Sequence, residues 1–326
     1  MTTRLSEHLR RATPLAWLLA PWAALGCGPS APAAPPVDAA IVETHDAATE
    51  ETNDPDLGEK WVRLLLDPQS EPLAMETAIV RYVPADAVVK GKSPEDYDQY
   101  VDLVGAVHIG DKRYYRDLNR RFKGYDAVLY ELVAPEGTKV PRGRGTSSAH
   151  PLGALQNGMK SMLDVEHQLE QVDYTGDNMV HADLSPDEFL ESMTKKEEGF
   201  AQMYFRLLGA SMAQQSQATA SNGDFDFMSA MFAKDRPRQL KLAMAKQFEG
   251  METLMTGFSG PDGSTLITER NKRALEVMAK QLDAGDKRLA IFYGAGHLSE
   301  MHDQLEKEFD MKPVSIEWVE AWDLRE

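Results

Sequence analysis

The sequence predicts an α/β domain with a mixed, mainly parallel sheet, flanking helices and an inserted Met-rich helical subdomain. Three observations predict it. Two strand–helix–strand units lie about 190 residues apart, an alternating strand pair precedes the first, and a long stretch of helical periodicity separates them. The first strands are WVRLLL at 61–66 and METAIVRYV at 75–83, where β-branched and aromatic residues recur at period two, as in an antiparallel pair. QYVDLVGAVH then reads as a buried strand, KRYYRDLNRRF at 112–122 as a helix, and YDAVLYELV at 125–133 as the parallel return strand. From about 150 to 257 the periodicity is helical, with 11 of the 16 methionines. Methionine there fills irregular packing or lines a substrate groove. Ser185-Pro186 marks a helix start. The helix STLITERNKRALEVMAKQLD at 264–283, the strand KRLAIFYGAGH, the helix SEMHDQLEKEF and the strand PVSIEWVEAW complete the second unit.

Composition narrows the function classes. The chain has 326 residues with 42% hydrophobic and 27% charged side chains, which excludes wholesale disorder and a multi-span membrane protein. A net charge of -17 repels phosphate backbones, so nucleic acid is not an expected partner. One cysteine, Cys27, permits neither an intrachain disulfide nor a thiolate cluster, leaving His, Asp and Glu as metal donors.

The amino-terminal segment reads as an address. Arg4, Arg10 and Arg11 precede the apolar run LAWLLAPWAAL at 15–25, which is too short to span a bilayer and fits a secretory signal. It ends in Ala24-Leu25-Gly26-Cys27, similar to a bacterial lipobox, so residues 1–27 are expected to be a lipoprotein signal peptide with lipid on Cys27. An ordinary cleavable signal is the alternative. Residues 28–59, rich in Ala and Pro, with eight acids and no Lys or Arg, are expected to be a disordered tether. The folded domain is placed at 60–326, in the bacterial cell envelope, anchored to a membrane on its periplasmic or cell-surface side.

The chemistry is expected where the two units repeat each other. GAVH at 105–108 and GAGH at 294–297 each end an apolar strand and each is expected to open a helix. Ligands of parallel α/β sheets bind outside the carboxyl ends of the strands. Gly105 and Gly294 permit close backbone approach or positive φ there, and His108 and His297 stand at the rim. Glu131, ending VLYE, reaches the same edge; buried, it needs a cation, a metal or a raised pKa. Two imidazoles and a carboxylate form the ligand set of a catalytic divalent metal with an open position. Glu320 follows His297 by the 23 residues that separate Glu131 from His108, a sign of internal pseudo-symmetry or else a solvent-facing side chain. Arg270 and Asn271 share the apolar stripe of the 264–283 helix, so Arg270 is expected to pair with Glu131, bind a substrate oxyanion, or hold a helix end. His181 and Asp183 in HADL are outlying candidates.

GAVH, Glu131, ERNKRALEVMAKQL and FYGAGHLSEMHDQLE, in this order and spacing, resemble the TraB/GumN family and the related Tiki proteins from about residue 60 to 324, with no matching motif in the middle. The resemblance implies a sheet shared with erythromycin esterases and haem-binding ChaN-type lipoproteins, and an active site carrying over His108, Glu131, Arg270 and His297. It implies a metal-dependent hydrolase, a peptidase foremost, acting on a peptide or small ester with Mn, Co or Zn. His108 and His297 would hold the ion, Glu131 would be third ligand or general base, and Arg270 would stabilise the oxyanion. A metal-free esterase with a His base, and a lipoprotein that sequesters a peptide, haem or iron without turnover, are the alternatives.

Overall fold

The computed structural model describes residues 57–58, 60–135, 137–138, 140, 165–196, 229–230, 232–246 and 264–325. The signal segment with Cys27, the tether up to residue 56, and residues 150–164, 197–228, 231 and 247–257 of the expected insertion lie outside the described residues.

The architecture is mixed α/β. Strands β1 (Val62–Leu66), β2 (Pro72–Pro84), β3 (Tyr100–Ala106), β5 (Ala127–Tyr130), β7 (Met179–His181), β8 (Arg288–Gly294) and β9 (Met311–Asp323) form one seven-stranded sheet. Its parallel part runs β3-β8-β5-β7, so the second unit inserts its strand between the two strands of the first. β2 is antiparallel to β1, β3 and β9. Ala74 pairs with both Leu65 and Asp323, which places β1 and β9 on opposite edges of β2. The predicted pairing of residues 61–66 with 75–83 is observed, with Leu64 opposite Met75.

Helices cover both faces, as a parallel sheet requires. Helix α1 (Lys112–Phe122) buries Tyr114, Tyr115, Leu118 and Phe122 against Val104, Val128 and Phe292. The rings of Phe122 and Phe292 lie 4.9 Å apart, and full burial of such a side chain contributes about 1.5–3 kcal/mol. On the other face α4 (Arg270–Ala284) and α5 (Ala295–Glu308) pack Ala274, Leu275, Met278, Leu298, Met301 and Leu305 on Leu103, Leu129, Ile291 and Tyr293.

Three expectations need correction. After GAVH the chain forms the two-residue strand β4 (Ile109–Gly110), paired with β6 (Glu166–His167), before α1 starts; only GAGH opens a helix directly. The span 150–257 is not wholly helical: besides α2 (Gln168–Gln171) and α3 (Pro186–Lys195) it supplies β6 and the edge strand β7. Strands of two and three residues are too short to show alternation. Lastly, Glu320 lies on β9, whose pairing is with β2, and its carboxylate accepts from Arg325 at 2.7 Å. The equal 23-residue interval does not bring it to the parallel strand ends.

Candidate functional site

Register brings the site together. In the parallel ladder Ala106 lies opposite Gly294 and Tyr130 opposite Phe292, while His181 lies opposite Tyr130. The chain therefore leaves β3, β8, β5 and β7 at one level, and His108, His297, Glu131 and Asp183 follow within three residues of those ends. Both motif glycines allow close approach rather than positive φ. A Cβ on Gly294 would stand 3.3 Å from Glu131 Oε2, and one on Gly105 3.1 Å from the Ala78 carbonyl oxygen.

Arg270 is the hub of a buried charge network. Its guanidinium donates to Asp183 at 2.9 and 2.6 Å and to Glu131 at 2.6 Å. The Gly294 N–H donates to the other Glu131 oxygen at 2.7 Å. The cation that Glu131 requires is thus Arg270. Burial alone would raise the Glu131 pKa, but the Arg270 guanidinium, with the Gly294 N–H, holds it well below the usual carboxylate range. Asp183, read as an outlying candidate, belongs to the centre; Arg270 and Asn271 both face it, being 7% and 0% exposed. A π-helical turn at Thr265–Glu269 leads into α4 just before them.

His297 is buried and neutral. Asn271 donates its amide N–H to the His297 carbonyl at 3.1 Å, which leaves its oxygen facing His297 Nδ1 at 2.7 Å. Nδ1 therefore carries the proton and Nε2 the lone pair. Nε2 lies 3.4 Å from Arg270 and 3.6 Å from Glu131. Burial disfavours the imidazolium and pulls the pKa down to about 4 against the opposing pull of Glu131. Tyr293 packs edge-on to this ring at 5.2 Å and donates to the Ala182 carbonyl at 2.5 Å.

His108 is exposed and lies near Glu131 and His297. Its Nδ1 meets the side-chain oxygen of Gln168 at 3.2 Å, and that amide donates its N–H to Tyr174 at 2.9 Å. Buried Gln168 thus presents to His108 Nδ1 the amide oxygen that Asn271 presents to His297 Nδ1. Gln168 and Tyr174 were invisible to sequence reasoning, because no local pattern ties them to His108. His181 stands apart: its Nε2 contacts the Leu132 carbonyl at 2.6 Å and its ring packs on Tyr130.

The donor types at the site are those that divalent metals take, but their spacing is not that of a formed metal site. Two imidazoles present Nε2 with Nδ1 held by an amide oxygen, the outer-shell arrangement of metal-ligating histidines, beside an ionised carboxylate. Among the described residues no three of His, Asp and Glu close tightly enough to enclose an ion. Arg270 contacts both Glu131 and His297, which lie 3.6 Å from each other. Comparison with known proteins returned no matching family model, no matching curated protein and no matching solved structure.

Proposed function

We propose that the chain is a hydrolase of the cell envelope, a peptidase foremost, working from a lipid on Cys27 and centred on His108, His297 and Glu131. The observation that carries it is the pair of imidazoles at neighbouring parallel strand ends, each met at Nδ1 by a side-chain amide oxygen, with the buried Glu131 carboxylate 3.6 Å from His297 Nε2. His108, His297 and Glu131 would hold a divalent Mn, Co or Zn ion. Such an ion supplies Lewis acidity, polarising a carbonyl and making water acidic near neutral pH. Asn271 and Gln168 keep the two Nε2 atoms unprotonated. Arg270, bound to Glu131 and Asp183, offers a fixed cation to negative charge developing on a substrate oxygen.

One observation favours a second mechanism for the same reaction. Arg270 already neutralises Glu131 and also contacts His297, so a metal-free route in which His108 deprotonates water needs no further cation. The test is equilibration of the full-length protein with Mn²⁺, Co²⁺ and Zn²⁺, metal analysis, and digestion of peptide and ester libraries. One bound ion per chain with metal-dependent cleavage is expected. Cleavage without bound metal selects the His-base route, and absence of both sinks the hydrolase in favour of a sequestering protein.

A further inference from the structure

Helix α1 reverses the charge of the chain. Residues 112–123 hold six of the 35 Lys and Arg against one acid, in a protein of net charge -17. Asp117 and Glu317 engage Arg120 and Arg121. Lys112, Arg113, Arg116 and Lys123 form no ion pair among the described residues and are exposed. At ~100° per residue, Lys112, Arg116, Arg120 and Lys123 fall within about 80° of arc, on the face away from buried Tyr114, Tyr115, Leu118 and Phe122. A face serving solubility alone would interleave acids, because like charges four apart repel by some ~0.2–0.5 kcal/mol.

This row lines a groove of about 340 Å³, whose walls are Lys112, Arg116, Asn119, Arg120, Lys123 and Gln171. The floor is fixed: the Asn119 amide donates to the Gln171 carbonyl at 2.7 Å, and its oxygen accepts the Asp173 N–H at 2.8 Å. The groove also adjoins the site. Lys112 follows His108 by four positions, and the short helix whose last residue is Gln171 begins with Gln168, the anchor of His108.

We propose that the groove is a subsite for an acidic, extended peptide segment, the flank of a substrate whose scissile bond lies at His108; the latter clause rests on the hydrolase function proposed above. Lys112, Arg116 and Arg120 advance by ~6 Å per step, and same-side residues of an extended chain recur at about 6.6–6.8 Å. Alternate acids of such a chain meet successive cations. A single recessed row fits a chain better than a plane of lipid headgroups.

The probe is a fluorescein-labelled eight-residue peptide of alternating Glu and Ala, read by anisotropy with the full-length chain carrying Cys27→Ser to remove the lipid. Saturable binding that weakens with added NaCl is expected, with a loss of about tenfold or more in the pair Arg116→Glu/Arg120→Glu. The pair Lys272→Glu/Lys280→Glu on α4 makes the same charge change away from the groove and should stay within about twofold. Equal loss in both pairs, or none in either, overturns the subsite, as does groove-dependent binding to phosphatidylglycerol vesicles without binding of the peptide. Circular dichroism shows that each variant is folded. Groove-dependent binding of a peptide that is never cleaved keeps the subsite and sinks the hydrolase; cleavage indifferent to the groove does the reverse.

Discussion

GAVH and GAGH share three of four letters and a place at the end of neighbouring parallel strands, yet their histidines occupy opposite environments. After Gly294 the chain turns at once into α5, which carries His297 down between Arg270, Asn271 and Tyr293, where it is 5% exposed. After Ala106 the chain runs on into β4 and pairs with β6, which leaves His108 outside with Gln168 as its support. A motif at a strand end therefore marks a location. The path of the following residues sets the dielectric around each ring and thereby its chemical role. The buried ring is fixed and neutral, whereas the exposed one faces solvent.

The comparison breaks most severely at Arg270. Replacing it by Met leaves Glu131 and Asp183 as buried carboxylates without a cation, and urea unfolding should register a loss of about 3–5 kcal/mol. His297→Ala comes next, because it strands the Asn271 amide in the core; a loss of about 1–3 kcal/mol is expected from the same measurement, with hydrolysis abolished. A smaller effect lies at the edge of the buried half. Ser185 and Glu188 form the capping box of α3, and Glu188 also accepts from Arg273 on α4. The backbone N–H and hydroxyl of Ser185, with Arg273, lower the Glu188 pKa to about 2. A depressed carboxylate stabilises the fold above its unfolded value and ceases to do so as pH falls through the folded one. The contribution should thus be complete above about pH 4.5 and fade toward pH 2. Ser185→Ala should remove about 1 kcal/mol at pH 7 and flatten this acid limb. Smallest is His108→Ala, which should change stability by less than about 0.5 kcal/mol while lowering turnover as far as His297→Ala does. A His108 variant as unstable as the His297 variant would erase the asymmetry.

Much of this was legible wherever a local period existed. Tyr114, Tyr115, Leu118 and Phe122 mark α1 over 112–122; Ser185, Pro186 and Glu188 mark the start of α3. The stripe Ile267, Ala274 and Met278 exposed the anomaly of Arg270 and Asn271. The rest depended on register between distant segments. Asp183 joins Arg270 because three residues, Met179–His181, extend the sheet beside β5, a strand too short to announce itself. Gln168 reaches His108 through the pairing of β4 with β6. Glu320 misled because equal spacing along the chain does not carry over to equal place in the sheet, β9 having its partner in β2.

The central claim is that both rings are held as Nδ1–H tautomers by side-chain amide oxygens at one site. Long-range proton–nitrogen NMR correlation of the histidine rings, at pH 7 and without added metal, tests this most directly. The account predicts the Nδ1–H tautomer for His297 and for His108, and a change in both Nε2 signals on addition of one divalent ion per chain. An Nε2–H tautomer or an imidazolium at His297, or an ion that perturbs neither ring, would contradict it.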